Sequence, residues 1–523
     1  MDRMPHTVAA DHPRVLGRRA FVRSLALGGA ALALPTPLIA HPHAPSRRRD
    51  AAGRPLRIRG QVRAQGHGLG GVGVTDGLSV VDSAPDGSFE LVTTAQRQFL
   101  SICMPSGFEI PRNPTGTARF YQPIRPNPEG VMDALFDLVP LRRSDERHAF
   151  LLLADIHLPL ADVQTTDSQE MNYFHEETVP DLLQVLGRLG EVERFGVACG
   201  DTTHDHPELF PDYERAVSRL GIPFFQVVGN HDMDYEGLVD EASTATFSRH
   251  FGPRYYSFDR GEVHYVVLDD VFWHGAGYIG YLDRDQLTWL ENDLARVEPG
   301  RTVIVSLHIP VLGSSHIRNG LEDPRLVLAV ANRDALYRLL EPYEAHVLAG
   351  HTHENEHVFE AGVHEHVNGA VCGAWWSGPI CSDGTPNGYS VFEIRGSAVS
   401  WRYKPTGHAF DHQIRTYPRG SDPEAPDEIV ANVWDWDPEW TVVWYEDGER
   451  KGAMARRVGL DPLAAKLHTG PELPARRTWV EPNRTAHLFY APASRRASEI
   501  RVEARDRFGR VYSAVVAPAP EGG

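Results

Sequence analysis

Five short runs of apolar, β-favouring residues mark the middle of this chain: Phe150 to Leu153, Gly196 to Cys199, Phe224 to Val228, Val303 to Leu307 and His346 to Leu348. Their near-continuous hydrophobicity, without the alternation of a half-exposed strand, predicts buried strands of an α/β sheet. Each run gives way at once to polar residues. In open α/β sheets the crevice outside the carboxyl ends of the strands is where ligands bind, so five such runs can deliver five polar loops to one place.

On either side the pattern changes. Between Leu56 and Leu141, Ile58 to Val62, Val72 to Val74 and Leu78 to Val81 are short runs broken by glycine, and an Asp86-Gly87 turn leads into Phe89-Glu90-Leu91. This predicts a small β domain. After about Tyr417, the segments Glu428 to Trp434, Trp440 to Tyr445, Ala486 to Tyr490 and Glu499 to Val516 alternate apolar and polar residues, with a turn at Glu446-Asp447-Gly448. That spacing is expected of an immunoglobulin-like sandwich. Trp434, Trp436 and Trp440 are expected to pack in it, with sugar stacking as the alternative if they are exposed.

The N-terminus has the form of a twin-arginine export signal: Gly17-Arg18-Arg19-Ala20-Phe21-Val22-Arg23, an apolar stretch from Ser24 to Leu34, then Pro-rich sequence to Ala44. The apolar part is too short for a transmembrane span, and no Cys follows it to carry a lipid. The expected organisation is a signal over 1–44, a polar leader over 45–55, an N-terminal β-sandwich over 56–141, an α/β domain over 146–416 and a C-terminal sandwich over 425–523. The twin-arginine translocase is the partner expected during export, to the periplasm or beyond, with no stable membrane anchor in the mature chain.

Composition narrows the partners. The 523 residues carry a net charge of −18 with 41% hydrophobic residues, enough for ordinary cores and unsuited to contact along a phosphate backbone, so nucleic-acid binding is not expected. Of the four cysteines, Cys103 and Cys199 read as small apolar fillers. Cys372 and Cys381 flank Ala374-Trp375-Trp376, at a spacing that permits a disulfide after export.

The polar residues that follow the five runs carry the chemistry. In order they are Asp155-Ile156-His157, Gly200-Asp201, Gly229-Asn230-His231-Asp232, His308 and Gly350-His351-Thr352-His353. Any one of these alone is an ordinary turn or core histidine. Together they offer carboxylate, amide and imidazole donors, a mixture that suits Mn, Fe, Zn, Co or Ni better than Ca or Mg alone.

The ordered set resembles that of the calcineurin-like metallophosphoesterases, D-x-H, G-D, G-N-H-[DE], H, G-H-x-H, over roughly residues 148 to 410. Tyr255 to Phe258, Val266 to Asp269 and Gln286 to Leu290 resemble the hairpin and helix that lie between the third and fourth motifs of that family. The resemblance implies an α/β fold, a four-layer αββα metallophosphoesterase sandwich, flanked by N- and C-terminal β-sandwich domains as in an exported bacterial subfamily. It also implies two divalent transition-metal ions. The first would be held by Asp155, His157, Asp201 and His353, and the second by Asp201, Asn230, His308 and His351. Asp201 would bridge cations about 3.5–4 Å apart, as a carboxylate can.

The implied reaction is hydrolysis of a phosphate ester by in-line attack of a hydroxide bridging the metals, which lower the pKa of bound water from about 15.7 toward about 7. His231 is the implied general acid, with Asp232 orienting its imidazole. Purple acid phosphatases carry a metal-binding Tyr three residues after the second-motif Asp. His204 stands there in this chain, so the purple colour is not expected, and His204 is placed to touch substrate. Trp375 and Trp376, in a Gly- and Trp-rich loop soon after His353, are the candidate substrate wall. His274, His316, His357, His364 and His366 are expected at the surface or behind the ligands. The leading expectation is an exported phosphodiesterase. Phosphomonoesterase or nucleotide pyrophosphatase activity and a non-catalytic envelope-binding role are the alternatives, and loops such as Leu158 to Tyr173 are expected to set the substrate.

Overall fold

The computed structural model describes residues 55–158, 173–470, 473 and 479–518. The expected export signal and leader up to residue 54, and most of the loop from Leu158 to Tyr173, lie outside them. No helix among the described residues is long and apolar enough to cross a membrane.

Two sheets form the middle of the chain. The first runs in the order Phe224–Val227, Glu193–Cys199, Arg147–Leu153, Gly388–Arg395, Ala398–Pro405, with the first three strands parallel and the last two an antiparallel hairpin. The second runs Tyr256–Arg260, Val263–Val267, Thr302–Ser306, Glu344–Ala349, Val363–Val367, Glu356–Glu360, parallel in its middle and antiparallel at both edges.

Strand alternation sorts their side chains into layers. Phe150 and Leu152 point inward with Phe195, Val197 and Phe225 to meet Phe258, Tyr265, Ile304 and Leu348 of the other sheet. Leu151 and Leu153 point outward, onto helices Val179–Arg188 and Phe210–Ser218, whose buried faces read Val179, Leu182, Val185, Leu186 and Phe210, Tyr213, Ala216, Val217. Val303, Val305 and Val347 do the same for helices Arg284–Leu294 and Arg333–Leu340 through Trp289, Leu290, Leu294, Leu336 and Leu340. Asp283 caps the former by accepting from Gln286 N. The result is the expected helix, sheet, sheet, helix sandwich, and it explains why the five runs lacked alternation: both faces of each strand are covered.

The N-terminal β domain has two four-stranded sheets, with Leu56–Ala64, Ser88–Thr93 and Val131–Leu138 in one and Gly73–Thr75 and Phe99–Ile102 in the other. Its core continues into that of the sandwich, where Phe120 packs on Tyr256 at 4.3 Å and on Phe225 at 5.9 Å. The C-terminal sandwich sets Arg415–Tyr417, Ile429–Asn432, Arg484–Ala491 and Ala455–Leu460 against Glu449–Ala453, Thr441–Glu446, Ile500–Arg505 and Val511–Val515. Its first strand therefore begins before the expected boundary at 425, because Arg415–Tyr417 pairs with the strand Ile429–Asn432. Trp434 and Trp440 are buried in packing, which leaves them no face for a sugar.

Candidate metal centre

Each motif begins where a strand ends, so the five loops meet at one edge of the two sheets. The turns are tight. Asp155, His157, Asp201, His351 and His353 all have positive φ, between 48° and 70°. Left-handed backbone is unfavourable for residues with a Cβ and collects at sites whose surroundings enforce it. The motif glycines answer to crowding: a Cβ on Gly200 would stand 2.2 Å from His308 Nδ1, and one on Gly229 would stand 2.0 Å from Asp201 N.

The donors form two adjoining sets. His157 Nε2 lies 3.0 Å from His353 Nε2 and 3.4 Å from Asp201 Oδ2, and His353 Nε2 lies 3.5 Å from Asp155 Oδ1. On the other side His308 Nε2 lies 3.3 Å from the same Asp201 Oδ2 and 3.1 Å from Asn230 Oδ1. Asp201, His308 and His351 have ligand atoms within 4.8 Å of one another. Asp201 Oδ2 thus stands between the two sets while its Oδ1 accepts from His231 N at 2.8 Å. That is the geometry a bridging carboxylate needs.

The backs of the rings fix which nitrogen faces inward. His308 Nδ1 gives its hydrogen to Cys199 O at 3.0 Å, His353 Nδ1 to Gly373 O at 2.5 Å and His351 Nε2 to Val327 O at 2.7 Å. The inward nitrogen of His308 faces a carboxylate oxygen and an amide oxygen, three atoms that conflict as acceptors unless a proton or a metal cation stands between them. A cation resolves that conflict, so the residues fit a metal pair. Burial holds His351 and His353 down at about 3, in the neutral form that ligates, while Asp201 outweighs burial to push His308 up to about 10.

His231 is placed beside this centre and its ring meets His157 at 4.9 Å and His204 at 4.8 Å. One expectation is corrected here. Asp232 does not orient His231. Its carboxylate is buried and accepts from Thr202 N at 3.1 Å, Thr202 Oγ1 at 2.7 Å, Thr203 N at 2.9 Å and Gly229 N at 3.2 Å, which braces the second motif against the third. The partner of His231 is Asp205, whose Oδ1 accepts from Nδ1 at 2.6 Å and is also 2.5 Å from Tyr235 Oη. Burial works against a proton on His231, yet Asp201 and Asp205 together hold it above the ordinary imidazole range. Sequence reasoning missed Asp205 and Tyr235 because neither belongs to a recurring pattern.

His204 Nδ1 lies 3.0 Å from His157 Nδ1, so His204 stands behind that motif histidine. Trp375 stacks on His353 at 4.0 Å, beside the donor cluster. Trp376 instead points its Nε1 at Ile156 O and His157 O, 3.1 and 3.2 Å away, pinning the first motif rather than facing substrate. Trp479 of the C-terminal domain, which nothing in the sequence singled out, meets Trp375 edge to face at 4.9 Å. Cys372 and Cys381 are both buried, and no disulfide joins them at the spacing that would permit one. Asp383, in the same loop, is tied to the C-terminal sandwich by His487 Nε2 at 3.0 Å.

Comparison with known proteins places the chain in a family. Family models match residues 56–141 (N terminal of Calcineurin-like phosphoesterase), 148–355 (Calcineurin-like phosphoesterase) and 365–512 (C terminal of Calcineurin-like phosphoesterase). The chain is 28% identical over 234 residues to the Serine/threonine-protein phosphatase CPPED1 of Bos taurus, covering 42% of this chain and 70% of that protein. It is 29% identical over 149 residues to Purple acid phosphatase 15 of Arabidopsis thaliana, covering 26% of this chain and 25% of that protein. A solved dimetal phosphatase from Danio rerio aligns at 15% identity and a TM-score of 0.34, over 49% of this chain and 96% of its own. The chain belongs to the calcineurin-like phosphoesterases and is a metal-dependent phosphoric ester hydrolase of that dimetal family.

Proposed function

We propose that the protein hydrolyses phosphate diesters outside the cytoplasm, exported through the twin-arginine route on residues 1–44. The observation that carries the diester reading is the aromatic wall. Trp375 stacks at 4.0 Å on His353, beside the donor cluster, with Trp479 against it. A diester carries two organic groups and one terminal oxygen fewer than a monoester, so an apolar surface beside the donor cluster suits the group that stands where a monoester presents its third terminal oxygen.

Asp155, His157, Asp201 and His353 would hold one ion, and Asp201, Asn230, His308 and His351 the other. Bound there, divalent ions offset phosphate charge and activate water near neutral pH. The chain's own residues do the rest. Asp205 holds His231 by Nδ1, which turns the opposite nitrogen of the ring toward the pocket, where it protonates the leaving oxygen. Trp375 excludes water from one side. Asp232 keeps the two central loops in register.

A second reading, monoester hydrolysis, is favoured by the relatives, two of which are named as phosphatases. A hydrolysis screen of the Mn-loaded protein separates them: a higher kcat/KM on diesters than on matched monoesters supports the proposal, and the reverse order overturns it. Export is tested by replacing Arg18 and Arg19 with Lys and fractionating the cells. The variant should stay in the cytosol, and unchanged export would overturn the twin-arginine route.

A further inference from the structure

Four more histidines meet where the second sheet abuts the C-terminal sandwich, and none belongs to the phosphoesterase motifs. His364 and His366 stand two apart on the strand Val363–Val367 and so face one side of the sheet. The parallel strand Glu344–Ala349 sets His346 opposite His364, and the antiparallel strand Glu356–Glu360 sets His357 opposite His366. His364 and His366 are buried, 7% and 2% exposed, and stand in this separate cluster rather than at the surface or behind the catalytic ligands.

Their nitrogens converge. His346 Nδ1 lies 3.0 Å from His366 Nε2, His357 Nδ1 lies 3.0 Å from His364 Nε2, and the His364 and His366 rings stack at 3.9 Å. Ligand atoms of His346, His364 and His366 fall within 4.8 Å of one another. A ladder of hydrogen-bonded neutral imidazoles would account for the two close contacts, but it leaves His366 Nδ1 buried without a partner. Buried polar atoms are rarely left so.

The surroundings are those of a ligand set. His357 Nε2 lies 3.1 Å from Asp435 Oδ1 of the C-terminal domain. With that carboxylate taking the Nε2 hydrogen, Nδ1 of the neutral ring is a lone pair aimed at His364. A carboxylate behind an imidazole orients it and raises its basicity toward a metal. Trp401 closes one side, edge-on to His366 at 4.6 Å, and Phe359 another, stacked on His364 at 4.1 Å. The Arg507 guanidinium lies over Trp401 at 5.2 Å, and its charge is met by Asp437 at 2.7 Å and Glu439 at 3.5 Å.

We propose that His346, His364 and His366, with His357 as a fourth donor, form a separate site for a zinc-class divalent ion that fastens the edge of the catalytic sheet to the C-terminal sandwich. All-imidazole donors suit Zn, Co, Ni or Cu and exclude Ca and Mg, which demand oxygen. Enclosure by aromatic rings makes it a closed, structural site without an open position for water.

The test uses the full chain. Zinc-saturated wild-type protein should hold about one ion more per chain than the same protein carrying His364→Gln, while turnover of bis-p-nitrophenyl phosphate is retained. In the Asp201→Asn background, which strips the bridging ligand of the catalytic centre, Co(II) should still give the visible bands of a four-coordinate nitrogen site, and adding His346→Gln or His364→Gln should abolish them. Circular dichroism checks that each variant is folded. If the wild type and a folded His364→Gln protein hold equal zinc, or if the cobalt bands are missing in the Asp201→Asn protein, the site is overturned. The cobalt readout does not depend on hydrolysis, so its failure is distinct from a failure of the phosphodiester reading.

Discussion

His231 Nδ1 lies 2.6 Å from Asp205 Oδ1, so the imidazole beside the metal ligands is oriented by a residue of the second loop and not by its own neighbour, Asp232. The consequence is a split in what two nearby carboxylates do. Asp205→Asn should lower kcat on an alkyl phosphodiester by part of the about 10²–10⁴ that a positioned general acid supplies, with both metals retained. The loss should shrink on p-nitrophenyl esters, whose leaving group departs with little protonation, and His231→Asn should show the same dependence in fuller form. Equal losses on both substrates would assign the pair to phosphate charge stabilisation.

Asp232→Asn should act on stability first. An amide turns an NH₂ toward the Thr202, Thr203 and Gly229 donors that the buried carboxylate now accepts from. An unsatisfied buried donor costs about 1–3 kcal/mol, which thermal denaturation would show as a lowered Tm. An unchanged Tm with lost turnover would return Asp232 to the chemistry.

The contrast shows what was legible in the sequence. The central strands could be read because a doubly covered strand must be apolar on both faces, and the converging donor residues because each group follows such a strand directly. The C-terminal sandwich was legible from its alternation. What could not be read depends on how loops fold back: Asp205 reaches His231 only because its own φ of 64° turns the second loop, and Trp479 reaches Trp375 from another domain. Trp376 carried the right composition for a substrate wall, but its indole N–H is taken by the carbonyls of Ile156 and His157.

Asp201 Oδ2 stands between His157 Nε2 at 3.4 Å and His308 Nε2 at 3.3 Å. Asp201→Asn should therefore empty both catalytic positions together, while His353→Ala should weaken the first set more than the second. Elemental analysis of the two variants checks this. Loss of a single ion in the Asp201 variant would mean that the carboxylate serves only one position.

Trp479 is 49% exposed and packs edge to face on Trp375, 4.9 Å between ring centres. Trp479→Ala should raise KM for diesters with a bulky organic group by about 2–12-fold, the worth of an aromatic contact of about 0.5–1.5 kcal/mol. Values of kcat and of KM for small substrates should stay close to wild type. Steady-state kinetics on a short series of leaving groups decides it, and a fall in kcat across the series would place the residue in loop positioning instead.

Far from the motifs, His264 is clamped between two carboxylates, with Nδ1 3.0 Å from Asp259 Oδ1 and Nε2 3.0 Å from Asp293 Oδ2. Both nitrogens can donate only if the ring is protonated. Burial opposes the charge, but Asp293 and Asp259 outweigh it and raise the imidazole to about 9. Arg301, 3.0 Å from Asp259, and Arg296, 3.9 Å from Asp293, share the same carboxylates and limit the gain. Because the folded value lies above the unfolded one of about 6.5, the protonated ring stabilises the fold fully below about pH 6.5, and that contribution is lost as pH rises through about 9. It amounts to something on the order of 3 kcal/mol. Chemical denaturation of the wild type should show stability falling between pH 6.5 and 9.5, and His264→Gln should be less stable at pH 6 yet nearly flat over the same interval. A wild-type curve as flat as the variant's would show that the two arginines already neutralise the pair and that His264 is held uncharged.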